Sequence, residues 1–264
     1  MSTDPGMWGW TSDIGHIGFT VTFTLGRDPQ EVLSLYGTGD REAQVLTREE
    51  AWMQFPPNQG GAQLRAGTLG RWGFCFEEAS IEGMKSGPLS RLSAETETIA
   101  LFAVPGRSDF TYLKDGLRVE SFDPGNAGSV QGDQPYTFWT GTQKIMSWAR
   151  SEPTPPIHAV LQTIAKYIRE PLDRNTLEGP LLTAFLPDSE RAPLDIPYIA
   201  PRALDLSLTT APIPSWLTGA HVGSLNSSTS RAHLPTMTQE TPAQRQTFAA
   251  HRQTFAALGP MVAS

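Results

Sequence analysis

The sequence predicts an α+β fold: one antiparallel sheet of about six strands with helices on one face, then a Pro/Ser/Thr-rich tail ending in a short amphipathic helix. Three observations carry that expectation. Residues 19–25 alternate strictly between apolar side chains and threonine, the period of a strand. Turn signals separate further apolar runs up to residue 122. From residue 138 the apolar spacing lengthens to the three and four of a helix.

Along the chain, Phe19, Val21, Phe23 and Leu25 share one face of the first strand and Thr20, Thr22 and Thr24 the other, as in a half-buried strand. Asp28-Pro29-Gln30-Glu31 then reads as a helix start: Asp28 can accept from free backbone amides, Pro29 suits the first helical position, and Glu31 completes a capping box. This short helix buries Val32, Leu33 and Tyr36 and ends at Gly37, where glycine accepts the left-handed conformation. Thr47 and Glu50 repeat the capping spacing before Ala51-Trp52-Met53, and Pro56-Pro57 keeps that helix brief. Residues 63–78 suit a hairpin around Leu69-Gly70, with Trp72, Phe74 and Phe76 on one face of the return strand.

Residues 89–94 suit a helical turn, and 98–104, apolar on both faces, an interior strand. Asp115-Gly116 marks a two-residue turn between strands at 110–114 and 117–122. Phe138, Trp139, Ile145, Met146 and Trp148 form an imperfect helical stripe. Ile157, Val160, Leu161, Ile164 and Ile168 form a clean one, which Pro171 stops.

The expected boundaries are an α+β domain at 14–187, an irregular Pro/Ser/Thr-rich linker at 188–240 and an amphipathic helix at 241–260. The linker holds repeated prolines and the run SLNSSTS, a composition that buries too little surface to offset ordering entropy; Trp216-Leu217 is its isolated apolar spot. RQTFAAH at 245–251 repeats at once as RQTFAAL at 252–258. That places Phe248 and Phe255 on one helical face with Leu258 three residues on, in a helix too short to hold without something to pack against.

The segments FTVTFTLGRDPQEVLSLYG, RAGTLGRWGFCFEEA, DFTYLKDGLRVESFDP and LEGPLLTAFLP resemble a domain-of-unknown-function family of actinobacterial proteins over about residues 14–187. The most specific pieces are the strand-to-helix junction Gly26 to Glu31, the turn Gly70 to Trp72 and the Gly179-Pro180-Leu181-Leu182 patch. The resemblance implies a domain ending near Pro187 and implies no activity, cofactor or catalytic residue.

A formal charge of −7, with lysines and arginines scattered singly, argues against a nucleic-acid partner. A lone cysteine and a start, MSTDPGMWGW, without basic and apolar leader regions lead us to expect a cytoplasmic protein. No stretch approaches the roughly 18 apolar residues of a membrane span.

Chemistry-bearing patterns are sparse. Cys75 has no histidine near it in sequence, and the five histidines lack metal-ligand spacing. Adjacent Glu77 and Glu78 must point to opposite faces of a strand, and Glu95 and Glu97 suit a solvated edge. There is no Gly-x-Ser-x-Gly elbow, and the glycines at 37–40 and 60–61 lack a phosphate loop's lysine. Trp8 and Trp10 could line a pocket near His16, though stapling the N-terminus to the sheet is the simpler role.

The sequence therefore assigns no catalytic, cofactor-binding or metal residue. The leading expectation is a non-enzymatic protein-interaction module whose C-terminal docking helix presents Phe248, Phe255 and Leu258, together with Trp216, to a protein partner, self or other. The alternatives are a small-molecule-binding protein or enzyme with an aromatic pocket of Trp72, Phe74 and Phe76, and a structural component of a larger assembly.

Overall fold

A computed structural model describes residues 5–39, 41–57, 59–148 and 154–191. In chain order the elements are α1 (Trp10–Asp13), β1 (Phe19–Leu25), α2 (Pro29–Leu33), β2 (Gln44–Leu46), α3 (Arg48–Gln54), β3 (Gly61–Leu69), β4 (Trp72–Glu78) and α4 (Ser86–Leu92). They continue with β5 (Glu97–Val104), β6 (Arg107–Lys114), β7 (Leu117–Asp123), β8 (Asn126–Gly132), α5 (Thr137–Trp148), α6 (Pro156–Ile168), α7 (Arg174–Glu178) and β9 (Leu181–Pro187). Among the described residues, the nine strands form one antiparallel sheet in the order β2-β9-β3-β4-β1-β5-β6-β7-β8.

The α+β class stands, and two details of the expectation change. The sheet has nine strands, not six: β2, β8 and β9 join it at its flanks. The helices lie on both faces, not one. On the first face an aromatic core of Phe19, Phe23, Phe74, Phe76 and Phe110 packs under Phe138 of α5 and Val160, Leu161 and Ile164 of α6. On the second face, Val32, Leu33 and Tyr36 cover Leu64, Ala66 and Cys75, while Met84 and Leu89 cover Ala100 and Leu113.

The reason lies in β1. Its threonine row meets protein instead of water, and all three threonines are fully buried. Each hydroxyl then needs a partner: Thr20 donates to the Ser80 carbonyl at 2.6 Å, Thr22 lies 2.9 Å from the Tyr36 hydroxyl, and Thr24 lies 3.2 Å from the Thr98 hydroxyl. Polar alternation thus marked a satisfied interior face.

Local signals fared well. Asp28 accepts the Glu31 amide, Thr47 and Glu50 close a complete capping box, and Gly37 sits at φ 108°. Asp115 and Gly116 both take positive φ, as the two-residue turn requires. The β3–β4 turn falls one residue later than expected, on Gly70 and Arg71, because Leu69 pairs with Trp72. Helix α6 ends at Arg169 in the left-handed conformation, ahead of Pro171. Trp10 is the staple: it is fully buried edge-on to Phe19 and Phe76 and donates from Nε1 to the Leu172 carbonyl at 3.1 Å.

The start of helix α5 is capped from another element. Glu120 of β7 reaches across and accepts the Phe138 and Trp139 amides, a carboxylate on the positive end of a helix. Glu120→Ala is expected to remove about 1–2 kcal/mol of stability, read by urea denaturation, with faster amide exchange confined to residues 137–148; unchanged exchange there would refute the cap.

Candidate functional site

Helices cover the second sheet face over β3, β4, β1, β5 and the Leu113 end of β6, and among the described residues none covers it over β7 and β8. A cleft of about 630 Å³ opens there, within the range of small-molecule sites. Register builds its floor. Ala100, Thr111, Ser121 and Gln131 stand directly opposite one another on four neighbouring strands, so a hydroxyl, a second hydroxyl and a carboxamide form one row across β6, β7 and β8.

Ser121 Oγ and Gln131 Oε1 are buried without a hydrogen-bond partner. Native interiors seldom leave such atoms unpaired, since each one costs about 1–3 kcal/mol. Ile81, Met84, Leu89 and Phe102 form an apolar flank along one side of the row. Charge sits at the ends. Arg107 pairs with Asp109 at 2.9 Å, Asp123 accepts the Gly125 amide at 2.9 Å, and burial lowers the pKa of Arg118.

The flank is braced from beneath. Glu77, fully buried, accepts the Ser80 hydroxyl at 2.7 Å and the Glu82 and Gly83 amides at 2.8 Å each, fixing the turn that carries Ile81 and Met84. Burial wins over these donors and pushes its carboxyl up to about 7. Glu82 in turn holds Lys85 at 2.9 Å and Arg191. A side chain at Gly83 would collide with the Tyr36 hydroxyl and the Glu77 carboxyl, so the turn packs directly on the Glu77 cluster.

Nucleophiles are accounted for elsewhere. Burial pushes the Cys75 thiol well up, away from the reactive thiolate. Glu77 and Glu78 do point to opposite faces: Glu78 takes a two-point bond from Arg48 at 2.7 and 2.9 Å and the Trp52 indole at 3.0 Å. A second cleft of about 660 Å³ holds His158 and Thr11, whose Nε2 and Oγ1 are 2.9 Å apart. The Thr11 hydroxyl donates to the Trp8 carbonyl at 2.8 Å, so it turns lone pairs to the imidazole and His158 donates to it. In that arrangement the Thr11 proton points away from the imidazole. No three His, Cys, Asp or Glu side chains converge as a metal shell among the described residues.

The three aromatic residues expected to build a pocket line neither cleft. Trp72, Phe74 and Phe76 are buried in the first-face core. Phe248, Phe255, Leu258 and Trp216 lie outside the described residues. The site that sequence reasoning missed is the row Thr111, Ser121 and Gln131, whose members come together only through strand register.

Fold and cleft together describe an antiparallel α+β protein with an open, half-polar recess on one sheet face. No helix among the described residues is long and apolar enough to cross a membrane. No family model, curated protein or solved structure matches the chain.

Proposed function

We propose that this chain is a small-molecule-binding protein and that the cleft over β6 to β8 is its site. The observation that carries the reading is the pair of buried, unpartnered polar atoms, Ser121 Oγ and Gln131 Oε1, in the floor of a recess with an apolar flank. The reading is of binding without chemistry: Asp109 and Asp123, the carboxylates at the cleft, are engaged by Arg107 and the Gly125 amide. A lone, buried thiol suits a reducing compartment, and we place the protein in the cytoplasm.

The test is fluorescence titration with 1-anilinonaphthalene-8-sulfonate, comparing wild type with Ser121→Phe, which fills the recess. Saturable binding that weakens about tenfold in the variant, with unchanged circular dichroism, supports the reading; equal binding to both proteins overturns it. The duplicated RQTFAA at 245–257 supports a second reading, a tail helix that docks on a protein partner through Phe248 and Phe255.

A further inference from the structure

The cleft reading can be taken to a ligand class, and the following rests on it. We infer that the cleft takes a planar, uncharged heterocycle carrying an N–H and a C=O side by side, a lactam or imide edge, with an apolar ring or substituent behind it.

The floor sets the edge. Ser121 and Gln131 are directly opposed on adjacent antiparallel strands, which brings their side chains within about 5 Å of each other at Cβ. Their unpartnered atoms are a hydroxyl, able to donate or accept, and one end of a carboxamide. Ring lactams present a donor and an acceptor a few ångströms apart on one rigid edge, so a single group satisfies both atoms. It does so whichever way the carboxamide is turned, because donor and acceptor can exchange places. In the orientation the structure shows, a ligand with only acceptors, such as a carboxylate, would leave Gln131 Oε1 unpaired.

The walls set the rest. Met84, Leu89 and Phe102 offer thioether, aliphatic and aromatic surface beside the polar row, suited to one flank of a flat ring. At about 630 Å³ the recess exceeds a bare six-membered ring, so a fused or substituted ring fills it better. Neutrality follows from the charged lining as a whole, in which Arg107 and Arg118 are balanced by Asp109 and Asp123 and Arg107 pairs directly with Asp109.

The experiment uses the full chain and two probes, quinazoline-2,4-dione and its 1,3-dimethyl derivative, which keeps the ring and carbonyls and lacks both N–H groups. Binding is followed by saturation-transfer NMR titration. The parent dione is expected to bind about tenfold more tightly than the dimethyl form, the worth of one hydrogen bond to a buried acceptor. Gln131→Leu and, separately, Ser121→Ala should abolish that preference while each still binds the dimethyl form. Two separate variants guard against a folding defect in either, and the preference in wild type stands as a measurement by itself.

Equal binding of the two probes overturns the lactam inference. So does a preference that survives in both variants. If neither dione binds while the anilinonaphthalene probe still reports the cleft, the ligand class is wrong and the site stands. If that probe also fails to distinguish Ser121→Phe from wild type, the cleft reading itself falls.

Discussion

Between about pH 5 and pH 8 the protein is expected to lose about 2.5 kcal/mol of stability that a Glu77→Gln variant keeps. Glu77 is fully buried, and in the folded state its carboxyl is pushed up to about 7 from an ordinary value of 4.5. A raised folded-state pKa on an acid means that the native protein holds the proton where the unfolded chain has released it. The contribution is therefore fully present below the unfolded value and is lost as pH rises through the folded one. Tyr36 and Cys75, the neighbours whose charges would push further upward, are themselves shifted up by burial and stay neutral across this window. Glu82 is tied to Lys85 and Arg191. Glu120, raised by burial, and His158, lowered by it, titrate in both proteins and cancel in the difference.

Glutamine cannot accept at both ends, so one of the Ser80, Glu82 and Gly83 donors loses its partner and the variant starts lower by a roughly constant 1–3 kcal/mol. The diagnostic is the slope, not the offset. Urea denaturation at half-unit pH steps reads it directly, and parallel wild-type and variant profiles would contradict a buried, proton-holding Glu77.

How far the sequence shows this molecule depends on whether a feature is local. Strand β1, the capping box at Thr47 and Glu50, and the Asp115-Gly116 turn are written within a few residues and could be read directly. Strand β9, LLTAFLP, buries side chains on both faces and shows no alternation to distinguish it from a helical segment. Strand β2 is three residues long, and β8, NAGSVQG, has little β-forming character; each is a strand because a neighbour pairs with it.

The cleft was hidden by a single residue. Extending the β6–β7 hairpin from Lys114 opposite Leu117 would place Glu120 opposite Thr111 on the second face. A bulge between Tyr112 and Leu113 shifts the register, so Ser121 stands opposite Thr111 and Glu120 turns to the first face, where it caps α5. No local pattern announces that bulge, and the polar floor and the helix cap both depend on it.

Arg65→Met is expected to cost about 3 kcal/mol, although it exchanges a buried charge for an apolar side chain of similar size. Arg65 is fully buried in β3, and its guanidinium donates to the Leu177 and Gly179 carbonyls at the end of α7 and to the Leu46 carbonyl of β2. Burial lowers its pKa to about 10, with Glu78 opposing the shift, so it remains a cation at neutral pH. Its two terminal nitrogens are committed to backbone carbonyls, while Nε is buried without a partner. Methionine would relieve the desolvation of the cation but take the guanidinium's donors away from three carbonyls, through which β3 holds α7 and β2. Arg65→Lys, with one compact ammonium, should recover about half of the loss. Denaturant melts give the magnitude, and hydrogen exchange should accelerate at residues 44–46 and 174–181 first. If the methionine variant is as stable as wild type and exchanges no faster there, Arg65 is not what holds these elements together, and the first-face core must suffice to seat α7 by packing through Leu177 alone.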